Sequence, residues 1–294
     1  MRKSLSGRVF GIFNYTFFAL FSMSIIYPFI YLISISLSDP QGLNVGRMMF
    51  YPHKFSLESY KMILNDKMLY WGYFNTIYRT VTGVVLSLTI LLCAAYPLSK
   101  KDLPHRNFYT SIFVFTMFFG GGLIPKYLLI KNLGLVDHRM VLVIPGLISV
   151  YNMLIIRNFL MSIPKELEES ARIDGASEWK ILFSIIIPLS LPVIATVGLW
   201  IAVGHWNSWY DSMIYINSPE KQVLQIYLRR IVVQSTDEEI RGMLEASNES
   251  IGIPAIPETL KAAAIIVTVT PILVVYPFIQ KYFVKGVMVG SLKG

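Results

Sequence analysis

Six stretches of this chain contain no Asp, Glu, Lys or Arg, and no other feature restricts its fold as much. They are Val9–Ser38, Thr80–Ser99, Asn107–Pro125, Met140–Ile156, Ile181–Tyr210 and Ala262–Gln280. A helix of roughly 20 apolar residues crosses about 30 Å of hydrocarbon, and all but the fourth reach about that length. The fourth is expected to run on past Arg157, whose long side chain can carry its charge to the interface. The fifth is long enough for an interfacial segment as well as a span. A membrane barrel would instead alternate in segments of about ten residues. Composition agrees: 54% of residues are hydrophobic and 15% charged, with mean hydropathy +0.55, against about a quarter charged in soluble domains. That excludes a cytosolic globular enzyme, a disordered chain and a disulfide scaffold. The single cysteine, Cys93, has no intramolecular partner and is expected to be a small buried apolar residue. The expectation is an all-α integral membrane protein of one domain, 1–294, with spans at about 9–38, 80–99, 107–125, 140–161, 184–206 and 262–280.

Basic residues orient the spans. The N-terminal Arg2, Lys3 and Arg8, the loop bearing Lys100, Lys101 and Arg106, the loop 157–180, and the tail with Lys281, Lys285 and Lys293 fall on one side. Together they hold thirteen basic residues against six acids, while the other side holds thirteen against twelve. Both termini are therefore expected in the cytoplasm, and the net charge of +8 needs no nucleic acid to explain it. The first apolar run is about twice the length usual for a secretory signal and no clear small-x-small site closes it, so a retained helix is expected. Outside loops then cover 39–79 and 211–261. The second is acidic, with Asp237, Glu238, Glu239, Glu245, Glu249 and Glu258. Each reads either as a solvated connector or as a docking element for an external partner. Gly120-Gly121-Gly122 ahead of Pro125 cannot hold a regular helix well, so the third span should end or unwind there.

The segment 164–188, PKELEESARIDGASEWKILFSIIIP, is the most informative. Pro164 suits a first helical position, and Glu166, Glu168 and Glu169 meet the positive end of the helix dipole. Leu167, Ser170, Ala171 and Asp174 share one face by spacing, a stripe of mostly small residues that another surface can approach closely. Gly175 stops the helix. Ser177 can cap a second helix, which enters the membrane through Ile181, Leu182, Ile185 and Ile186 up to Pro188. On these grounds alone the loop 162–180 is either an ordinary interfacial helix or a docking device.

The same residues resemble the signature loop of binding-protein-dependent ABC importer permeases. That pattern reads EAA, three residues, G, nine residues, I, one residue, LP. Glu169-Ser170-Ala171, Gly175, Ile185 and Ile187-Pro188 occupy it, with Ser170 and Ile187 as conservative departures. Arg157-Asn158-Phe159 and Glu169 through Ala176 resemble the carbohydrate branch, the MalG-like permeases, as does the ending Gly286–Gly294. His205-Trp206-Asn207-Ser208-Trp209 together with Gly120–Gly122 looks like the subgroup serving complex oligosaccharides, alginate-type and pectin- or xylan-derived sugars among them.

The resemblance implies a type I ABC importer permease fold in a bacterial cytoplasmic (inner) membrane, a transport subunit and not an enzyme. It implies a heterodimer with a second homologous permease, two ATPase subunits and an extracytoplasmic sugar-binding protein. ATP and Mg would sit on the ATPase, with no cofactor or metal on this chain. This chain indeed has no Gly-x-x-x-x-Gly-Lys-Ser/Thr phosphate loop. Glu168, Glu169, Ala171, Asp174, Gly175 and Pro188 would form the element that couples to the ATPase, and Lys293-Gly294 would reach toward it.

Candidate pathway residues are Trp200, His205, Trp206 and Asn207, beside Trp209 and Tyr210, and also Tyr151 and Asn152. Aromatic faces suit the C–H surfaces of sugars, and amides or imidazoles bond hydroxyls. An interfacial aromatic belt, or pairing of Asn152 with a neighbouring helix, explains the same residues. Other readings are an ABC permease for a non-sugar solute, an ion-coupled secondary transporter or a membrane-embedded enzyme. Charge-free spans count against ion coupling. Scattered His53, His105, His138 and His205 count against an enzyme.

Overall fold

The computed structural model describes residues 5–40, 50–233 and 258–291. The acidic residues Asp237, Glu238, Glu239, Glu245 and Glu249 lie outside them, as do Lys293 and Gly294. The described residues are helical, with one isolated bridge between Ser38 and Phe55. Among the described residues three helices are long and apolar enough to cross a bilayer: Val9–Ser36, Lys67–Ser99 and Glu258–Val275. Three bent pairs bring the number to six if each counts as one span.

The bends have local causes. Arg106–Phe118 and Leu123–Asn132 meet at 109° across Phe119–Gly122, where Gly122 takes a φ of +78° that only glycine adopts freely. Arg139–Gly146 and Val150–Leu160 meet at 53°, the second capped by the Ser149 hydroxyl, which accepts from Asn152 N. Glu178–Leu189 and Leu191–Asn207 meet at 81°. Pro188 and Pro192 flank that corner, and each lacks an N–H for the helical ladder. A π-helical turn at Leu182–Ile186 precedes it.

Contacts divide the chain into two compact units. One holds residues 1–69 and 228–270. In it the Ser36 hydroxyl meets the Tyr60 hydroxyl at 2.8 Å, and Ser59 donates to Thr259 at 2.9 Å. Most apolar side chains of its first helix, such as Phe10 and Phe21, are exposed, as suits a helix whose solvent is lipid. The other holds 70–227 and 271–294. Leu91, Ala95, Met153, Ile156, Ile181, Ile186 and Val197 form its larger core, and Ile130, Leu142, Tyr215 and Val223 a smaller one.

Three features differ from the sequence-based expectation. The second span's helix starts at Lys67, not near Thr80, because Arg79 is neutralised: its guanidinium pairs with Asp211, with side-chain exposures of 4% and 24%. Pro164 precedes the short helix, which runs Glu166–Ile173. Cys93 is exposed, since its helix turns Leu91, Leu92 and Ala95 inward instead.

Two glycines allow close packing inside the second unit. A Cβ on Gly72 would meet Leu224 Cα at 3.0 Å, and one on Gly83 would lie 2.3 Å from His205 Nε2. Gly83→Val should therefore cost about 1–3 kcal/mol, as overpacking does. Gly11→Val is the control, because open space surrounds Gly11. A lowered thermal midpoint in detergent for Gly83→Val alone is the expected result.

Candidate functional site

The helix Glu166–Ile173 has eight residues and buries none of them. Its end is a complete Schellman lock: Ala176 N donates to Ala171 O at 2.9 Å and Gly175 N to Arg172 O at 3.0 Å. Gly175 closes it with φ +77°. Two residues later the Ser177 hydroxyl accepts from Lys180 N and starts the next helix.

Charged groups tie this helix to the foot of the Lys67–Ser99 helix. Glu168 pairs with Lys100, whose Nζ also lies 4.0 Å from the centroid of the Tyr96 ring. The Tyr96 hydroxyl donates to Glu178 Oε2 at 2.8 Å, and Arg172 Nε donates to Glu178 Oε1 at 2.8 Å. Arg172 Nη2 also comes within 3.9 Å of Glu168. Each carboxylate thus faces two partners, a partly sheltered network in which charge-assisted bonds are strong.

The face expected from spacing divides. Ala171 is half-buried and packs with Ala176 against the larger core, and Glu168 also turns inward. Glu166, Leu167, Glu169, Ser170, Ile173 and Asp174 are exposed, with Ile173 at 87%. Pro188 lies away from this face, at the 81° corner.

The pathway candidates separate as well. His205 is buried: its Nδ1 accepts from Arg79 Nε at 3.2 Å, and its ring occupies the notch at Gly83. It serves packing in this arrangement. The Trp206 indole N–H and the Thr80 hydroxyl are buried with no hydrogen-bond partner among the described residues. Both line an apolar cavity of about 200 Å³ with Ile77, Val81, Leu199 and Pro271. Trp200, Asn207 and Tyr151 are exposed, and Asn152 is half-buried.

Sequence reading missed a set of polar clasps beyond Arg79. Asn75, fully buried, donates to Glu220 O at 2.8 Å and Gln222 O at 2.9 Å and accepts from Arg139 Nε at 2.8 Å. Thr76 accepts from Leu224 N at 2.9 Å. Asp137 takes the Ser218 hydroxyl, the backbone N–H groups of Ser218 and Asn217, and Lys221. These donors, the Ser218 hydroxyl foremost, hold its carboxyl well below the usual carboxylate range. The only available signal was polar residues placed every turn at the start of an apolar helix.

Comparison with known proteins places these features in a family context. The family model described as binding-protein-dependent transport system inner membrane component matches residues 1–289. The polygalacturonan/rhamnogalacturonan transport system permease protein YtcP of Bacillus subtilis (strain 168) is 38% identical over 290 residues, 99% of this chain and 100% of that protein. Protein LplC of the same organism is 38% identical, covering 100% of this chain and 98% of its own length. A chain in the crystal structure of a bacterial ABC transporter involved in the import of the acidic polysaccharide alginate is similar with TM-score 0.85 and 36% identity. That similarity covers 96% of this chain and 99% of that one.

The network at the short helix yields a measurable expectation. Lys100→Glu removes one charge-assisted bond and sets two carboxylates together, a loss of about 1.5–3 kcal/mol. Tryptic cleavage after Lys165 and Arg172 should quicken about tenfold in this variant. Adding Glu168→Lys should restore part of the protection. Unchanged cleavage in Lys100→Glu would mean the pair does not hold the helix.

Proposed function

The chain belongs to the family of binding-protein-dependent transport system inner membrane components, and from that premise we propose its specific role. It is the permease subunit of an ATP-driven importer that carries oligosaccharides, acidic polyuronide fragments foremost, across a bacterial cytoplasmic membrane. The observation that carries this reading is the 38% identity, along essentially the whole of both chains, to the polygalacturonan/rhamnogalacturonan permease protein. The alginate importer chain, also similar over nearly its whole length, belongs to a system for another acidic sugar polymer.

In this reading the six spans run with both termini in the cytoplasm, a second permease completes the pathway, and an external binding protein delivers the sugar. Two ATPase subunits hold the ATP and Mg. The helix Glu166–Ile173 seats its exposed face, with Glu169, Ile173 and Asp174, in a cleft of one ATPase. Closure of the ATPase pair moves the helix. Its inner face, through Glu168 and Arg172, passes that movement to Lys100, Tyr96 and Glu178. The Schellman lock at Gly175 matters because a loose elbow would absorb the displacement. Trp206 and Thr80 line the apolar cavity with their polar atoms buried, so they form wall and not hydroxyl contacts there. Trp200, Asn207, Tyr151 and Asn152 remain available for contact with sugar or with the second permease.

Gly175→Ile tests the coupling role. Open space surrounds Gly175, so the substitution acts through the backbone: a left-handed conformation costs an L-residue about 1–2 kcal/mol. Insertion and assembly should be unchanged and ATP hydrolysis should continue, while sugar uptake per ATP falls about tenfold. Normal coupled uptake would count against the assignment.

A further inference from the structure

The smaller core of the second unit positions two walls of a further cavity. On one side is the helix Leu123–Asn132, whose Ile130 is buried in that core and whose Tyr127 ring stacks on Tyr215 at 5.9 Å and 14°. On the other side Trp209 packs against the same core, and the helix Tyr210–Tyr215 follows, its Asp211 clasped by Arg79. Between these walls lies a cavity of about 620 Å³, lined by Gly120, Gly122, Leu123, Lys126, Leu129 and Tyr210 among others. Ligand pockets generally measure about 300–1,000 Å³. Lys126 is exposed, and among the described residues no carboxylate lies within ion-pair distance of it, unlike Lys100, Lys221 and Lys261. It belongs to the second half of a broken span, and ionisable groups of spans that face a cavity mark substrate routes. The Tyr210 ring is 47% exposed and is held by an edge contact with Trp209 at 5.7 Å and 83°. A Cβ on Gly120 would meet nothing within 4 Å, and its backbone is not left-handed. Neither packing nor φ demands glycine there, and the missing side chain leaves the cavity open.

We propose that this cavity is a subsite for one uronate unit of the passing sugar, with Lys126 taking the carboxylate and Tyr210 the C–H face of the ring. The inference deepens the acidic-sugar reading above and rests on it. Charge complementarity selects the occupant: an ammonium on a wall otherwise formed by glycines, leucines, a proline and a tyrosine gains from a carboxylate, and a neutral sugar leaves it unpaired. A lysine carries its charge on a flexible four-carbon stem, so the charge can follow a carboxylate that moves. A conducting site must also release what it binds, which suits one mobile cation better than a rigid clamp. In the orientation proposed above, the break after Phe118 and the helix Tyr210–Tyr215 both lie toward the extracytoplasmic side, where the sugar arrives.

The test uses the assembled transporter in proteoliposomes, supplied with its binding protein and with trigalacturonate as the probe. Lys126→Gln should slow ATP-driven uptake about tenfold, the change expected for loss of one charge-assisted contact. Lys126→Arg keeps the charge and should stay within about threefold of the wild-type rate. Gly120→Leu, which fills the cavity without straining the backbone, should slow uptake as well. A second readout does not depend on rate. In Cys93→Ser/Lys126→Cys the new thiol should react with a maleimide about threefold more slowly while trigalacturonate is being imported than in its absence. Wild-type uptake by Lys126→Gln, or labelling indifferent to the sugar, overturns the subsite and leaves the acidic-sugar reading standing. A wild-type transporter that imports no trigalacturonate overturns that reading and the subsite with it. A thiol that never reacts in the assembled complex, or loss of the second permease from Lys126→Gln complexes, overturns the subsite in favour of a contact between the two permeases.

Discussion

A helix of eight residues with no buried side chain does not hold itself together in water, where isolated helices below roughly 12–15 residues are marginal. Glu166–Ile173 persists because both ends are tied down. The Schellman lock at Gly175 satisfies its last carbonyls, and Glu168 and Arg172 fasten its inner face to Lys100 and Glu178. That fastening leaves the opposite face free, Ile173 included.

The element to which it is fastened is the helix Lys67–Ser99. Its 33 residues span about 50 Å, more than the hydrocarbon thickness, so it extends beyond the membrane. Its lower end meets the short helix through Tyr96 and Lys100. In its first half Asn75, Thr76 and Arg79 hold the segment 208–224 through backbone carbonyls, one backbone N–H and the Asp211 carboxylate. Every one of these bonds removes a polar group from an environment where leaving it unpaired would cost several kcal/mol. One helix is therefore in contact with both the short helix and the segment beyond Asn207.

Much of this was readable before the structure. Gly120–Gly122 marked a broken span, Gly175 a helix stop and Ser177 a cap, because each follows from local backbone chemistry. Pairings across the fold were not readable. Arg79 ended a charge-free run, so the second span looked short, yet its partner Asp211 lies 132 residues away. Charge-free spans count against ion coupling here only because that pairing neutralises Arg79. Ala171 and Ile173 show the same limit: spacing placed Ala171 on the outer stripe, while packing against the larger core drew it inward and left Ile173 bare. Cys93 and His205 exchanged expectations likewise. The cysteine is exposed and the histidine is enclosed, because a glycine at 83 opened a notch that no periodicity announces.

The most direct test of the central claim is a site-directed cross-link from the bare face of the short helix. With Cys93, which is exposed, replaced by serine, Ile173→Cys carries a thiol-specific photo-cross-linker in membranes that contain the assembled transporter. The account predicts covalent capture of the ATPase subunit, with a yield that changes when ATP is added. Assembled complexes in which the cross-linker at position 173 never joins the ATPase, while transport continues, would contradict it.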